Sequence, residues 1–140
     1  VERSAHLLIQ LLLHNGAVVN AKSNDGLASL HIASKTGDLE SVNILLNSGA
    51  DVNLVDNNGY TALHFSAQCD HQVCQILLRH GAAIDLPSGD GSCPLHIASR
   101  YEQTNVVEGL LSHKATVNVI DKNGKSPLHI ACENGCIEIF

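Results

Sequence analysis

Apolar residues recur along the chain in short segments with helical spacing, separated by polar turns. Residues 5–15 are apolar on most sides of a predicted helix, and Val42 and Leu45 lie on one face of another helix. A helix that is apolar on most of its faces is buried between neighbouring helices, although Leu8–Leu13, near one end of the chain, are expected to be partly bare. Gly16 and Gly49 follow these two segments, and glycine just beyond a helix end adopts the left-handed conformation at little steric cost. The pattern predicts short helices that pack against one another.

A polar turn that contains a glycine recurs along the chain at a fixed period. Residues 56–64 read Asp-Asn-Asn-Gly-Tyr-Thr-Ala-Leu-His, and related stretches occupy 24–31, 89–96 and 121–129. Successive turn glycines are 33, 32 and 33 residues apart, and they are Gly26, Gly59, Gly91 and Gly124. The Leu-His pairs keep the same spacing, and their histidines are His31, His64, His96 and His129. A period of this length predicts a stacked array of structural repeats.

The motif and its period resemble those of the ankyrin repeat, in which a glycine turn is followed by Thr-Pro-Leu-His and a small residue two positions on. The small residues here are Ala33, Ser66, Ala98 and Ala131. The resemblance covers the whole chain and implies an all-α, ankyrin-repeat solenoid of helix-turn-helix pairs with β-hairpin-like finger loops. It divides the chain into a single array: a partial repeat at 1–23, repeats at 24–55, 56–87 and 88–120, and a partial repeat at 121–140. Because both ends fall inside a repeat, we expect the chain to be a piece of a longer protein.

Two repeats depart from the common pattern. The third lacks one residue between Cys69 and Val73, which predicts a tighter or differently built turn between its helices. The fourth carries Glu102 where the turn glycine is expected and Lys114 where the helix-ending glycine is expected. A non-glycine residue in the left-handed conformation costs about 1 kcal/mol, so this repeat is predicted to be locally less stable. At the two ends, residues 1–4 align with the end of a first helix, and the fifth repeat is predicted to stop inside its second helix.

The charge and the cysteines narrow the class of partner and the compartment. The formal net charge is −6, with only 8 lysines and arginines among 140 residues, so we expect no nucleic-acid partner and no direct membrane contact. No apolar run approaches the ~20 residues of a membrane-spanning helix, and the start does not read as a signal peptide. The five cysteines, an odd number without a Cys-x-x-Cys pair, favour a reducing compartment inside the cell, either cytoplasm or nucleus.

The nine histidines raise the question of a metal site. Stacked repeats hold their Leu-His histidines too far apart to share a zinc ion, whose ligand bonds are about 2 Å long, so no metal is expected. The resemblance instead implies that each of these histidines, and each turn glycine, is structural. In the family the imidazole bonds to backbone and to a nearby hydroxyl, which is present here at Thr61 and Ser126 but absent at Ala28 and Cys93. The sequence contains no nucleophile, phosphate-binding or metalloprotease motif, so we expect neither catalysis nor a cofactor.

The resemblance implies a non-catalytic scaffold that binds a partner protein through its concave groove and finger tips. Candidate partner-binding residues are those that vary beside each turn glycine and at the end of each first helix. They are Asn57, Asn58, Tyr60, Gln68, Asp90, Ser92, Arg100, Tyr101, Lys122, Asn123 and Lys125. Tyr60 and Tyr101 are the chain's two tyrosines, and tyrosine and arginine are frequent interface hot spots. The alternative is a regulatory or targeting segment of a larger enzyme, channel or ubiquitin-ligase adaptor.

One asparagine has a further candidate role. Residues 45–53 end in Asp-Val-Asn, with Leu45 eight residues before Asn53. This resembles the pattern recognised by the asparaginyl hydroxylase that modifies ankyrin repeats in animal cells, so this enzyme is a candidate partner. Alternatively, Asn53 only stabilises the finger, because buried polar groups are normally satisfied by structure. We expect its side chain to be buried and to link two fingers, so modification would require local opening.

Overall fold

The computed structural model describes residues 2–69 and 71–139, and this part of the chain contains eight helices. They are α1 (Glu2–His14), α2 (Ser29–Thr36), α3 (Leu39–Asn47), α4 (Ala62–Ala67), α5 (His71–Arg79), α6 (Pro94–Arg100), α7 (Thr104–Ser112) and α8 (Pro127–Ile139). Within the described ranges no segment forms a β-strand.

The helices pack in two parallel rows. Consecutive helices pair within each repeat, α2 with α3, α4 with α5 and α6 with α7. The first helices of successive repeats, α2, α4, α6 and α8, contact one another in order, and the second helices, α1, α3, α5 and α7, form the other row. This confirms the predicted all-α solenoid of stacked helix pairs.

The core lies between the rows and repeats with the sequence. Leu30, Leu63 and Leu95 are buried near the start of α2, α4 and α6. Leu45, Leu77 and Leu110 are the matching buried leucines of the second helices. The buried Val73 and Val106 lie four residues before their leucines, and the buried Val42 lies three before Leu45. A pair of short helices cannot bury its apolar face alone, so each repeat depends on its neighbours for a closed core.

Each turn glycine lies in a finger, the hairpin-like loop that precedes a first helix. In the third repeat the N–H of Asp56 donates to the carbonyl of Tyr60 at 2.9 Å, and the N–H of Gly59 donates to the carbonyl of Asp56 at 3.0 Å. Gly59 has a φ of +79°, a conformation that side-chain-bearing residues adopt at a cost. These contacts confirm the predicted β-hairpin-like fingers.

Two left-handed residues distinguish the fourth repeat. Glu102 has a φ of 56° and Lys114 a φ of 67°, and both occupy the positions where the sequence predicted a missing glycine. In the third repeat α4 is only six residues long, against eight in α2, so the shorter repeat shortens its first helix. Asp70, which follows in the sequence, lies outside the described residues.

The terminal helices differ from the prediction. Residues 2–4 are not the end of a separate first helix, because α1 runs without a break from Glu2 to His14. Val1 lies outside the described residues. Similarly, α8 continues through Gly135, so the predicted break between the helices of the fifth repeat is absent. Ser4 aligns with the turn residue Gly37 and provides no reason for a helix to end, and one glycine inside a helix costs only about 1 kcal/mol.

Candidate functional site

The fingers stack on one another through their backbones. The N–H of Asn57 donates to the carbonyl of Asp25 at 3.3 Å, and the N–H of Gly89 donates to the carbonyl of Asn58 at 2.8 Å. The next step repeats this geometry, with the N–H of Lys122 donating to the carbonyl of Asp90 at 3.0 Å. This ladder holds the side chains of successive finger tips in fixed register.

The Leu-His histidines attach each finger to the next. In His64, Nδ1 accepts from the N–H of Thr61 at 3.1 Å and lies 2.8 Å from its Oγ1, while Nε2 donates to the carbonyl of Ser92 at 2.9 Å. His31 and His96 bond in the same way to the carbonyls of Leu54 and Lys125. A nitrogen that accepts from a backbone N–H carries no proton, so the imidazole of His64 is neutral.

Burial reinforces the neutral state at His64. The side chain is completely buried, and this burial lowers the pKa of the imidazole, although its hydrogen bond to the Ser92 carbonyl opposes the shift. In the last repeat His129 is exposed, and its Nδ1 lies 2.8 Å from Oγ of Ser126.

We define the groove as the surface formed by the finger tips and the C-terminal ends of the first helices. Tyr60 lies half-buried in it, with its ring centroid 5.1 Å from that of His64 and 5.3 Å from that of Phe65. Burial raises the pKa of the Tyr60 hydroxyl, and the Asp90 carboxylate raises it further, whereas the Arg100 guanidinium acts in the opposite direction. Asp90 and Arg100 therefore both lie close enough to Tyr60 to influence the pKa of its hydroxyl.

The candidate groove residues differ in exposure. Tyr101 follows α6 and is 51% exposed. Gln68, Tyr60 and Lys125 are half-buried, and Lys125 pairs with Glu133 at 2.8 Å. The exposed members are Asn57, Asn58, Asp90, Arg100, Tyr101, Lys122 and Asn123.

Ser92 requires a correction, because its side chain is completely buried. It occupies the same position relative to the turn glycine as Tyr60, but its short side chain does not reach the surface. A partner could not contact this hydroxyl in the folded array, and we leave Ser92 out of the proposed surface.

Besides Gly89, two residues that line the groove were not among the sequence candidates. Asp56 and Phe65 line a depression of about 450 Å³ between the third and fourth fingers, together with Tyr60 and Asp90. The sequence did contain a signal for Phe65, since the matching positions of the other repeats hold isoleucine.

Asn53 links two repeats, but its surroundings differ from the prediction. Its Oδ1 accepts from the N–H of Ala83 at 2.7 Å, and its Nδ2 makes a longer contact of 3.5 Å with the carbonyl of Gly81. The residue is exposed, so the predicted burial is wrong. Asn20 and Asp85 accept equivalent hydrogen bonds from the N–H groups of Asp51 and Thr116, at 2.8 and 3.0 Å.

Across residues 2–69 and 71–139, no three His, Cys, Asp or Glu side chains lie close enough together to hold a metal ion. In the same part of the chain, no helix has both the length and the apolar character needed to cross a membrane.

Comparison with known families gives a match. A family model described as ankyrin repeats in three copies matches residues 1–88 and again residues 83–140, so the two matches together span the chain. A comparison with curated proteins finds no match. The period, the finger turns and the helix rows agree with the family match, and the chain belongs to the ankyrin-repeat family.

Proposed function

We propose that this array is a non-catalytic scaffold that binds a partner protein at the groove. Ankyrin repeats are generally protein–protein interaction modules. The observation that supports the groove as the site is the exposed Tyr101 beside Arg100. Arg100 and Asp90 also lie close enough to Tyr60 to affect the pKa of its hydroxyl. An aromatic ring with a half-exposed surface gains most from a partner that covers it, and tyrosine and arginine often anchor interfaces.

The backbone of the groove supports the same proposal. The finger ladder and the histidine bonds use main-chain groups and buried imidazoles, so the fold does not depend on the exposed side chains of Asn58, Arg100 and Tyr101. A backbone that is already fixed loses little further freedom on binding, which favours affinity. The proposed contact residues are Asn57, Asn58, Tyr60, Gln68, Asp90, Arg100, Tyr101, Lys122, Asn123 and Lys125.

The test compares capture of partners from a cell lysate by the wild type and by two variants. Tyr101→Ala is expected to weaken binding by about 1–3 kcal/mol with little change in stability, as for an exposed anchor. Leu111→Ala is the control, since Leu111 is 41% exposed on α7, in the other row of helices. Its capture should match the wild type. Recovery of every partner by Tyr101→Ala at the wild-type level would contradict the groove as the binding site. Equal losses in both variants would contradict it as well.

We also propose Asn53 as a modification site for an asparaginyl hydroxylase. The Asp-Val-Asn sequence and the exposure of Asn53 support access by an enzyme, while its bond to Ala83 favours modification during local opening of the finger. Peptide mass spectrometry after incubation with the hydroxylase should show one added oxygen on the peptide that contains Asn53. An unmodified peptide, beside a modified control substrate, would reject this role.

A further inference from the structure

A depression of about 450 Å³ opens between the third and fourth fingers. Asp56, Asn58 and Tyr60 of the third finger line one side, and Gly89 and Asp90 of the fourth finger line the other. Phe65 contributes from α4, and its ring packs against that of Tyr60 at 5.3 Å between centroids. The depression therefore combines two carboxylates with an aromatic wall.

Each of the two carboxylates accepts hydrogen bonds from its own finger through only one of its oxygens, Oδ1. Oδ1 of Asp56 accepts from the N–H of Asn58 at 2.9 Å and from the N–H of Tyr60 at 2.8 Å. Oδ1 of Asp90 accepts from Oγ of Ser88 at 2.6 Å and from the N–H of Ser92 at 3.1 Å. These turn contacts do not use the second oxygen of either carboxylate, which leaves each able to accept from a ligand.

The electrostatic environment of the depression is negative. The Ser88 hydroxyl holds the pKa of Asp90 below its usual value, so this carboxylate is ionised at neutral pH. At the Tyr60 hydroxyl, the effect of Asp90 on the pKa outweighs the opposing effect of Arg100. A ligand that enters beside Tyr60 meets the Asp56 and Asp90 carboxylates and the face or edge of an aromatic ring, and the described lining contains no lysine or arginine.

We propose that this depression, which we name the Tyr60 pocket, receives the cationic side chain of an arginine or lysine from an extended segment of the partner protein. The inference rests on the proposed scaffold function and assigns a chemistry to one part of the groove. A guanidinium or ammonium group can pair with a carboxylate while its charge and its apolar stem contact an aromatic ring. Arginine suits such a site better than lysine does, because its planar fork of donors can bond more than one carboxylate oxygen.

Neighbouring fingers lack this combination. Between the second and third fingers, the positions that match Asp56, Tyr60 and Phe65 hold Ser23, Leu27 and Ile32. The pair formed by the fourth and fifth fingers has serine at the first two of these positions and isoleucine at the third. The Tyr60 pocket is therefore expected to be the position along the groove that selects a cation.

The test titrates a short peptide, acetyl-Gly-Ser-Arg-Ser-Gly-amide, into the isotope-labelled protein and follows the backbone amides by NMR. A second peptide replaces arginine with citrulline, which has nearly the same shape and no charge. At up to about 10 mM peptide, the arginine form should give saturable shifts at Asn58, Tyr60, Gly89 and Asp90, with much smaller shifts from citrulline.

Three variants separate the pocket from general charge effects. Asp90→Asn keeps the Oδ1 acceptor for Ser88 and Ser92 but removes the charge, and it should weaken binding about threefold to tenfold. Asp25→Asn removes the same charge at the matching finger position two repeats away and should bind like the wild type. Arg100→Gln removes the opposing cation and should strengthen binding, a change of sign that a purely structural effect would not produce.

Shifts of equal size from both peptides, or none up to the highest concentration, would overturn the pocket's preference for a cation. Equal weakening by Asp25→Asn and Asp90→Asn would show a general effect of net charge and would also overturn it. These outcomes are independent of the lysate experiment. If Tyr101→Ala still loses partners while the peptide does not bind, the scaffold function stands without the cation pocket.

Discussion

Oδ1 of Asn53 accepts a hydrogen bond from the backbone N–H of Ala83 at 2.7 Å, which joins one finger region to the next repeat. The same geometry recurs one repeat later, where Oδ1 of Asp85 accepts from the N–H of Thr116 at 3.0 Å. The bond therefore requires an acceptor oxygen at this position and not specifically an amide.

This relationship predicts the stability of two Asn53 variants. Asn53→Ala removes the acceptor and should lower the free energy of unfolding by about 1 kcal/mol, a typical net value for one hydrogen bond. Asn53→Asp keeps the acceptor, as Asp85 does naturally, and should lose much less. Urea unfolding monitored by circular dichroism measures both. Equal losses in the two variants would show that the bond to Ala83 contributes nothing specific.

The fourth repeat should gain stability when its left-handed residues become glycine. Lys114 has a φ of 67°, and a side-chain-bearing residue in this conformation costs about 1–2 kcal/mol, partly offset by the greater chain entropy of unfolded glycine. Lys114→Gly is therefore expected to raise the free energy of unfolding by about 0.5–1 kcal/mol. Glu102→Gly, at a φ of 56°, should have a similar effect.

The control for this prediction is Lys114→Ala, which removes the charge but keeps a Cβ atom at positive φ. It should leave stability close to that of the wild type in urea unfolding. A gain equal to that of Lys114→Gly would assign the effect to the lysine side chain and would contradict the backbone explanation.

Acid should destabilise the array through His64. Because burial lowers the pKa of the folded imidazole, the unfolded chain binds a proton more readily than the folded protein does. The stability that the neutral His64 side chain contributes is complete above the ordinary histidine pKa of about 6.5. It is lost as the pH falls below that value. The lowered pKa values of Asp38, Asp90 and Asp121 act in the same direction, but only near and below the ordinary aspartate value of about 4.

The pH dependence can be measured from urea unfolding midpoints between pH 8 and pH 5. The wild type should lose stability over this range, and His64→Gln should show a shallower slope from a lower starting value. His113→Gln provides the control, because His113 is exposed at the end of α7, where its Nδ1 lies 2.9 Å from the carbonyl of Gly109. A slope in His64→Gln as steep as that of the wild type would contradict the assignment to His64.

The sequence was sufficient to predict the repeat architecture because the responsible signals are local. The turn glycines and the leucine positions recur at each period, so the same turn and the same core position can be predicted for every repeat. Glu102 and Lys114 were predicted to be left-handed because a backbone conformation imposed by the repeat persists when its glycine is replaced.

The groove was predicted less completely because its chemistry depends on packing between repeats. Tyr60 and Ser92 occupy matching positions in sequence, yet Tyr60 reaches the groove and Ser92 is buried. The role of Phe65 follows from how the Tyr60 ring folds back onto α4, and that of Asp90 from the distance between adjacent fingers. Neither the packing of the Tyr60 ring on α4 nor the distance between adjacent fingers can be obtained from residue spacing alone.

The turn glycines should differ in how much an added methyl group destabilises the array. Gly59 has a φ of +79°, and a Cβ atom there would lie 2.8 Å from the backbone nitrogen of Gly89. That nitrogen donates the hydrogen bond to Asn58 that stacks the third and fourth fingers. Gly124 has a similar φ of +75°. Apart from its chain neighbours, no described atom lies within 4 Å of the position that a Cβ atom would take there. Gly59→Ala therefore combines backbone strain with a backbone clash, whereas Gly124→Ala introduces strain alone.

We expect Gly124→Ala to cost about 1 kcal/mol and Gly59→Ala to cost about 1–3 kcal/mol more, since main-chain atoms cannot move aside as a flexible side chain can. Urea unfolding gives the two values. Hydrogen exchange at the Gly89 amide gives a local test, because its protection should fall in Gly59→Ala and remain unchanged in Gly124→Ala. Similar costs in the two variants, with Gly89 still protected, would mean that the fingers separate enough to accept the methyl group. The backbone hydrogen bonds between successive fingers would then be too easily deformed to hold the groove side chains at fixed positions.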